Sequence, residues 1–221
     1  MLGKYLLINL KNLDFVILDC DGVILDSNKI KTDAFRETLH KYSTKHVNKL
    51  INYHKKNGGI SRKIKFEYFF KKILKVDNNL IINHSLKLFE SIALKKLINA
   101  KYIKGVKKFI KALNKNNIKI FIVSGAIQKE LRRIFFLKKY DQQFELILGT
   151  PKTKDEHVKN IIKKYSLNVK KGIFFGDSKI DYLVAKKYKI EFIFVSEKTE
   201  WTDFKKLKKV NIINNFLDIN V

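Results

Sequence analysis

Phe15-Val16-Ile17-Leu18-Asp19-Cys20-Asp21-Gly22 is an unbroken apolar run that stops abruptly in two acids and a glycine. Four consecutive apolar side chains leave a strand no polar face, so the run predicts a strand covered on both sides, as in a parallel sheet between helical layers. Matching runs recur at Ile120-Phe121-Ile122-Val123, Leu146-Ile147-Leu148, Ile173-Phe174-Phe175 and Phe192-Ile193-Phe194-Val195, with helix-length segments between most of them. Strands that alternate with helices build βαβ units. The expected fold class is therefore α/β, a doubly wound, Rossmann-like parallel sheet.

Residues 28–100 break that alternation. No strand-like run occurs there, and apolar residues recur every three or four positions. Phe66, Phe69, Phe70, Ile73 and Leu74 form one stripe; Ile82, Leu86, Phe89, Ala93 and Leu97 form another. Such stripes are the buried faces of helices. The reading is a core of residues 1–27 and 101–221 with an all-helical unit, 28–100, inserted after the first strand.

Composition narrows the functional classes. The 221 residues suffice for a real core, 45% of them are hydrophobic, and only one proline and nine glycines occur, which excludes disordered, collagenous and linker-like chains. The lone cysteine, Cys20, closes no internal disulfide, and no Cys/His spacing suits structural zinc, so a reducing, cytoplasmic location is expected. The apolar runs fall far short of the roughly 20 residues of a membrane helix, so no membrane partner is expected. Met1 to Leu10, interrupted by Lys4 and Asn9 and followed by no small-residue cleavage site, does not read as a signal peptide. Forty-seven Lys+Arg against 21 Asp+Glu give a formal charge of +26. Lysines can bind nucleic acid by displacing counterions from phosphates. Here they are spread over every segment of a chain also dense in Ile, Asn and Phe, a bias that A/T-rich codons produce, so no dedicated nucleic-acid surface is expected. A monomer is the default expectation.

Ligands of open α/β sheets bind beyond the carboxyl ends of the strands. Those ends run into Asp19-Cys20-Asp21-Gly22, into Ser124-Gly125, into Gly149-Thr150-Pro151 with Lys154 beyond, and into Gly176-Asp177-Ser178 with Asp181 one helical turn on. Asp19, Asp21 and Asp177 gathered on one rim repel each other unless a cation sits among them, and oxygen-only ligation suits Mg²⁺. Beside such a cation, Ser124 with adjacent backbone N–H groups and Lys154 offer a seat for a phosphoryl group. Two aspartates one residue apart can divide the labour, one as carboxylate nucleophile and the other as proton donor and acceptor.

The segment Asp19-Cys20-Asp21-Gly22-Val23-Ile24-Leu25-Asp26-Ser27 resembles the first signature of the haloacid dehalogenase superfamily, in the DxDGVxxDS form of its phosphatase branch. Val123-Ser124-Gly125 resembles the second signature, Lys154 the third, and Gly176-Asp177-Ser178-Lys179-Ile180-Asp181 the fourth. The resemblance implies that Asp19 is the nucleophile and forms an aspartyl-phosphate, and that Asp21 is the general acid/base. It further implies that Mg²⁺ is held by the Asp19 carboxylate, the Asp21 backbone carbonyl and Asp177, with Asp181 in support. Ser124, Gly125 and Lys154 would bind the phosphoryl group, the spacing after Pro151 favouring Lys154 over Lys152. Asp26 and Ser27 read as a helix start.

The helical insert resembles the caps of beta-phosphoglucomutase-like relatives, where Gly59-Ile60-Ser61-Arg62 matches a GxSR turn and Arg62 would contact substrate. Of the five histidines, scattered without metal spacing, only His54 is a candidate to face a substrate. The implied activity is Mg²⁺-dependent hydrolysis of a small phosphorylated metabolite of the phosphoglycolate or sugar-phosphate type. A phosphomutase and a noncatalytic basic nucleic-acid-binding protein are the competing readings. Mutase relatives carry adjacent acids in the fourth motif, which this chain lacks.

Overall fold

The computed structural model describes residues 5–220; positions 1–4 and 221, at the outer ends of the expected core unit, lie outside the described residues. Its strands are β1 (Leu6–Leu7), β2 (Phe15–Leu18), β3 (Lys119–Ile127), β4 (Leu146–Thr150), β5 (Gly172–Gly176), β6 (Glu191–Val195), β7 (Asn211–Ile213) and β8 (Ile219–Asn220). Six of them form one sheet in the order β4-β3-β2-β5-β6-β7, with every neighbouring pair parallel. The chain winds outward from β2 to β4, crosses back to β5, then winds outward the other way. That is the doubly wound sheet the apolar runs predict.

Alternation along the central strand feeds two cores. Val16 and Leu18 pack on one face with Phe109 and Leu113 of α5 (Val106–Lys115) and Leu131 and Phe135 of α6 (Gln128–Leu137). Phe15 and Ile17 pack on the other with Val158 and Ile161 of α7 (Lys154–Tyr165) and Val184 and Ala185 of α8 (Lys179–Tyr188). All four residues are fully buried, as a strand with helices on both sides requires.

The sequence pattern missed β7 and the small parallel pair β1–β8. Two of the three β7 side chains are exposed, because an edge strand is held by backbone bonds on one side only and needs no apolar run. The β1–β8 pair is two residues long, too short for any periodicity to show.

Between β2 and β3 the chain forms α1 (Asn28–Thr38), α2 (Thr44–Lys56), α3 (Arg62–Glu67) and α4 (Asn79–Ile98). Phe66, Phe69, Phe70, Ile82, Phe89, Ala93 and Leu97 are buried, and Ile73, Leu74 and Leu86 pack half-buried against them. Phe35 of α1 completes this core, with its ring centroid 4.6 Å from Phe89 and 5.2 Å from Phe66. A π-helical turn, Tyr68–Ile73, continues α3 and lets the adjacent Phe69 and Phe70 both point inward. The chain leaves and re-enters the sheet side by side: Asp26 N–H donates to Lys101 C=O at 2.8 Å, and Ile103 N–H to Ile24 C=O at 2.9 Å. No helix among the described residues is long and apolar enough to cross a membrane.

Candidate active site

Strand order reverses between β2 and β5, and their carboxyl ends lie side by side at this switch point. Leu18 is in register with Phe175, and Asp19 N–H donates to Phe175 C=O at 3.0 Å, so Asp19 and Asp177 open onto one rim. Asp181 joins them from the first turn of α8, where its Oδ2 accepts from Ser178 N–H and Oγ at 3.2 and 2.5 Å. The carboxylate oxygens of Asp19, Asp177 and Asp181 come within 4.8 Å of one another. Lys154, set at the start of α7 by the Thr153–Glu156 capping box, bridges two of them. Its Nζ lies 2.8 Å from Asp19 Oδ1 and 2.5 Å from Asp181 Oδ1. Lys152 is exposed.

The cluster holds three buried carboxylates against one amine. Burial foremost raises the Asp19 carboxyl to about 7, with Lys154 opposing and Asp181 and Asp21 adding to the rise. Burial, Asp19 and Asp181 push Asp177 well above the usual range, although Asn28 Nδ2 donates to it at 2.6 Å. Burial works against the charge of Lys154, but Asp181 and Asp19 outweigh it and keep the amine protonated. Surplus carboxylate oxygen, with no sulfur or imidazole in the cluster, is a donor set that fits a hard dication.

A carboxyl whose folded pKa exceeds its unfolded value contributes stability below the unfolded value and loses it as pH rises through the folded one. The metal-free chain is therefore expected to lose stability through Asp19 as pH climbs from about 4 to about 7, with Asp177, raised as well, acting in the same direction. Added Mg²⁺ should then raise Tm more at pH about 8 than at about 5, because ion and proton compete for the same oxygens. Thermal melts at both pH values check this, and an increment that shrinks with rising pH would contradict it.

Asp21 is not part of that triad. Its Oδ1 accepts from Ser27 Oγ at 2.6 Å, and its Oδ2 pairs with Lys31. Burial acts to raise its pKa, but Lys31 and Ser27 win and hold the carboxyl below the usual range. The expected helix start at Asp26–Ser27 is in place, with α1 beginning at Asn28, yet the Ser27 hydroxyl serves Asp21 and makes no cap bond. Gly22, at φ 77°, is where the chain turns over the acids; a Cβ there would collide with the Asp177 carboxylate and Asn28.

Ser124 and Gly125 lie inside β3, whose pairing with β4 shifts register between Val123 and Ile127, so they are a bulged strand end and not a simple turn. Ser124 is 1% exposed and its Oγ accepts from Ala126 N–H at 3.1 Å. Gly58 and Gly59, in the loop between α2 and α3, dock on this rim: a Cβ on Gly59 would meet Ile180, Ser178 and Lys154, and one on Gly125 would collide with the Gly59 carbonyl. Gly125→Ala is thus expected to hold the helical unit off the rim and cut kcat/KM by about 100-fold. Steady-state kinetics beside a melt separate that loss from unfolding.

Arg62 does not present a free guanidinium to the cavity. Its Nη1 and Nη2 donate to Glu130 of α6 at 2.8 and 2.5 Å, tying α3 to the sheet side of the site. Gly125 and Arg62 line one cavity together with Asp19, Asp21 and Asp177. Lys31, His54, Lys65, Glu200 and Trp201 also line it; of these only His54 stood out in the sequence. The remaining lysines carried no local signal among 47 Lys+Arg, and only burial in the folded chain distinguishes them.

A search of curated proteins gives no match. Among solved structures, a protein described as a predicted phosphoglycolate phosphatase from Haemophilus somnus 129PT superposes with a TM-score of 0.77 at 16% identity, covering 94% of this chain and 96% of its own. CbbY from Rhodobacter sphaeroides, solved with phosphate, gives 0.73 at 13% identity over 92% and 95%. The beta-phosphoglucomutase of Clostridium difficile gives 0.70 at 19% identity over 92% of each chain. At these identities the likeness speaks for the fold. The sequence itself matches the family of haloacid dehalogenase-like hydrolases over residues 16–195. Because that match runs through most of the 221 residues, the chain belongs to the haloacid dehalogenase-like hydrolases.

Proposed function

We propose that the chain is a Mg²⁺-dependent phosphatase that hydrolyses a small phosphorylated metabolite, of the phosphoglycolate or sugar-phosphate type, through an aspartyl-phosphate on Asp19. The observation that carries this reading is the buried cluster in which Lys154 bridges Asp19 and Asp181, with Asp177 alongside, below a docked helical cap of residues 28–100. Asp19, Asp177 and the Asp21 backbone carbonyl would hold the ion, with Asp181 in support. When bound, it neutralises the acids and stabilises charge on the phosphoryl oxygens.

The chain's own groups do the rest. The Asp19 carboxylate attacks phosphorus, the bond to the ester oxygen breaks, and Asp21 protonates that oxygen as it leaves. Asp21 then takes a proton from water, whose oxygen attacks phosphorus, releasing phosphate and restoring Asp19. Lys31 and Ser27 hold Asp21 ionised in this arrangement. Donating a proton therefore requires Asp21 to leave those partners, take up a proton from solvent and turn to the ester oxygen; the proton it later takes from the attacking water restores the acid form for the next turnover. Lys154 and Ser124 bind the phosphoryl group, and the docked Gly58-Gly59 loop keeps bulk water from the intermediate.

Phosphate release from a panel of phosphorylated metabolites, with Mg²⁺ or with EDTA, tests the proposal. Turnover of at least one ester in Mg²⁺ that falls to background in EDTA is expected. Release that ignores the chelator, or no release from any ester, would overturn it.

A further inference from the structure

The cavity above the acid cluster contains a buried ammonium that no carboxylate contacts directly. Among its described lining residues, Lys31 pairs with Asp21, Arg62 with Glu130, and Lys55 lies 3.6 Å from Glu200. Lys65 of α3 is 4% exposed and has no such partner; its Nζ donates to His54 Nδ1 at 2.7 Å. Since His54 uses Nδ1 as acceptor, the ring is neutral and carries its proton on Nε2, a buried atom without a hydrogen-bond partner. Burial and the Lys65 charge both hold the ring in that state.

Aromatic rings flank one side of this pair, the Phe35 ring centroid lying 4.8 Å from that of His54 and 5.2 Å from that of Phe66, while on the other side Glu200 Oε2 stops 3.6 Å from His54 Nε2, beyond hydrogen-bond reach. The ammonium there is shut off from water and makes no ion pair of its own; burial, with Lys31 adding, outweighs the more distant Asp21 and Glu200 and pulls Lys65 down to about 7. An anion entering the cavity would supply what the protein does not. One unmatched positive charge balances one negative charge, which fits a carboxylate better than a second phosphate dianion.

We propose that Lys65, held by His54, binds a carboxylate on the part of the substrate remote from its phosphoryl group, so that the preferred substrates are phosphomonoesters of hydroxy acids. This rests on the phosphatase reading and names its substrate class. It also moves recognition of the distal group from Arg62, whose fork is occupied by Glu130, to a lysine one helical turn further on.

The test is kcat/KM of the full chain with Mg²⁺ on phosphoglycolate, on ethyl phosphate as its uncharged counterpart, and on ethylene glycol bisphosphate. Wild type is expected to prefer phosphoglycolate over ethyl phosphate by at least about 10-fold. Lys65→Met should shrink that ratio by about 10- to 100-fold, chiefly through KM for phosphoglycolate, while Lys65→Arg retains a preference. A wild type without the preference, one that favours the bisphosphate, or a Lys65→Met variant with the ratio intact would overturn the assignment. Because the wild type alone supplies the first comparison, a variant that fails to fold does not shelter the proposal. Inertness toward all three esters and toward para-nitrophenyl phosphate would remove the phosphatase reading as well, whereas turnover without charge preference removes Lys65 alone.

Discussion

Asp19→Asn is expected to abolish turnover, with kcat down by at least about 10⁴-fold, and yet to leave the fold as stable as before or more so. An amide cannot serve as the carboxylate nucleophile, and loss of a nucleophile removes the whole covalent route. The stability half of the expectation follows from the charge count. Asp19 is one of three clustered buried acids, two of which share Lys154, and its carboxyl favours the neutral form up to about 7. The asparagine oxygen can still face Lys154 Nζ and the Cys20 N–H that Asp19 Oδ1 now accepts at 2.7 Å, so the geometry survives while repulsion falls. A melt without metal near pH 8, beside phosphate-release kinetics, reads both halves. A variant that is inactive because it has unfolded would contradict the account, as would one that retains turnover.

Lys154→Met should be damaging in both respects. The substitution keeps the length of the buried stem but leaves Asp19, Asp177 and Asp181 with no cation among them. Removing one partner from a buried ion pair costs about 3–5 kcal/mol. The cost should be largest above about pH 7, where the Asp19 carboxyl is forced to ionise, and should shrink toward pH 5, where it takes up a proton. Mg²⁺ should recover part of it, since the ion supplies charge to the same oxygens. Activity should remain at least about 100-fold down even with Mg²⁺, because the amine also neutralises the transferring phosphoryl group. Melts across that pH range with and without Mg²⁺, and kinetics at saturating metal, check the expectation; a stability loss independent of pH would contradict it.

The sheet and the acid cluster were legible because one physical constraint wrote both. A strand buried on both faces must be apolar throughout, so Phe15–Leu18 and its counterparts stand out, and a parallel sheet sends all their carboxyl ends to one rim. Asp19 and Asp177, just past the ends of β2 and β5, are therefore neighbours whatever their separation along the chain, while Ser124 sits in the bulged end of β3. Lys154 over Lys152 came from family spacing, and the structure buries the former and exposes the latter. What could not be read depends on pairing across elements. Arg62 carries the family's turn, but its partner Glu130 lies 68 residues away on a helix with no distinguishing pattern. Lys31, Lys65 and Glu200 likewise acquire roles only by being enclosed. The edge strand β7 left no signal because a half-exposed strand needs none.

Whether Asp19 carries the phosphoryl group can be read by covalent trapping. The wild-type chain is mixed with a turned-over ester and Mg²⁺, quenched in acid within the first turnover, digested, and read by mass spectrometry. One phosphoryl group is expected on the peptide that contains Asp19, absent when EDTA replaces the metal and absent in Asp19→Asn. Phosphate release with no label on that peptide at any quench time, or a label on another residue, would contradict it.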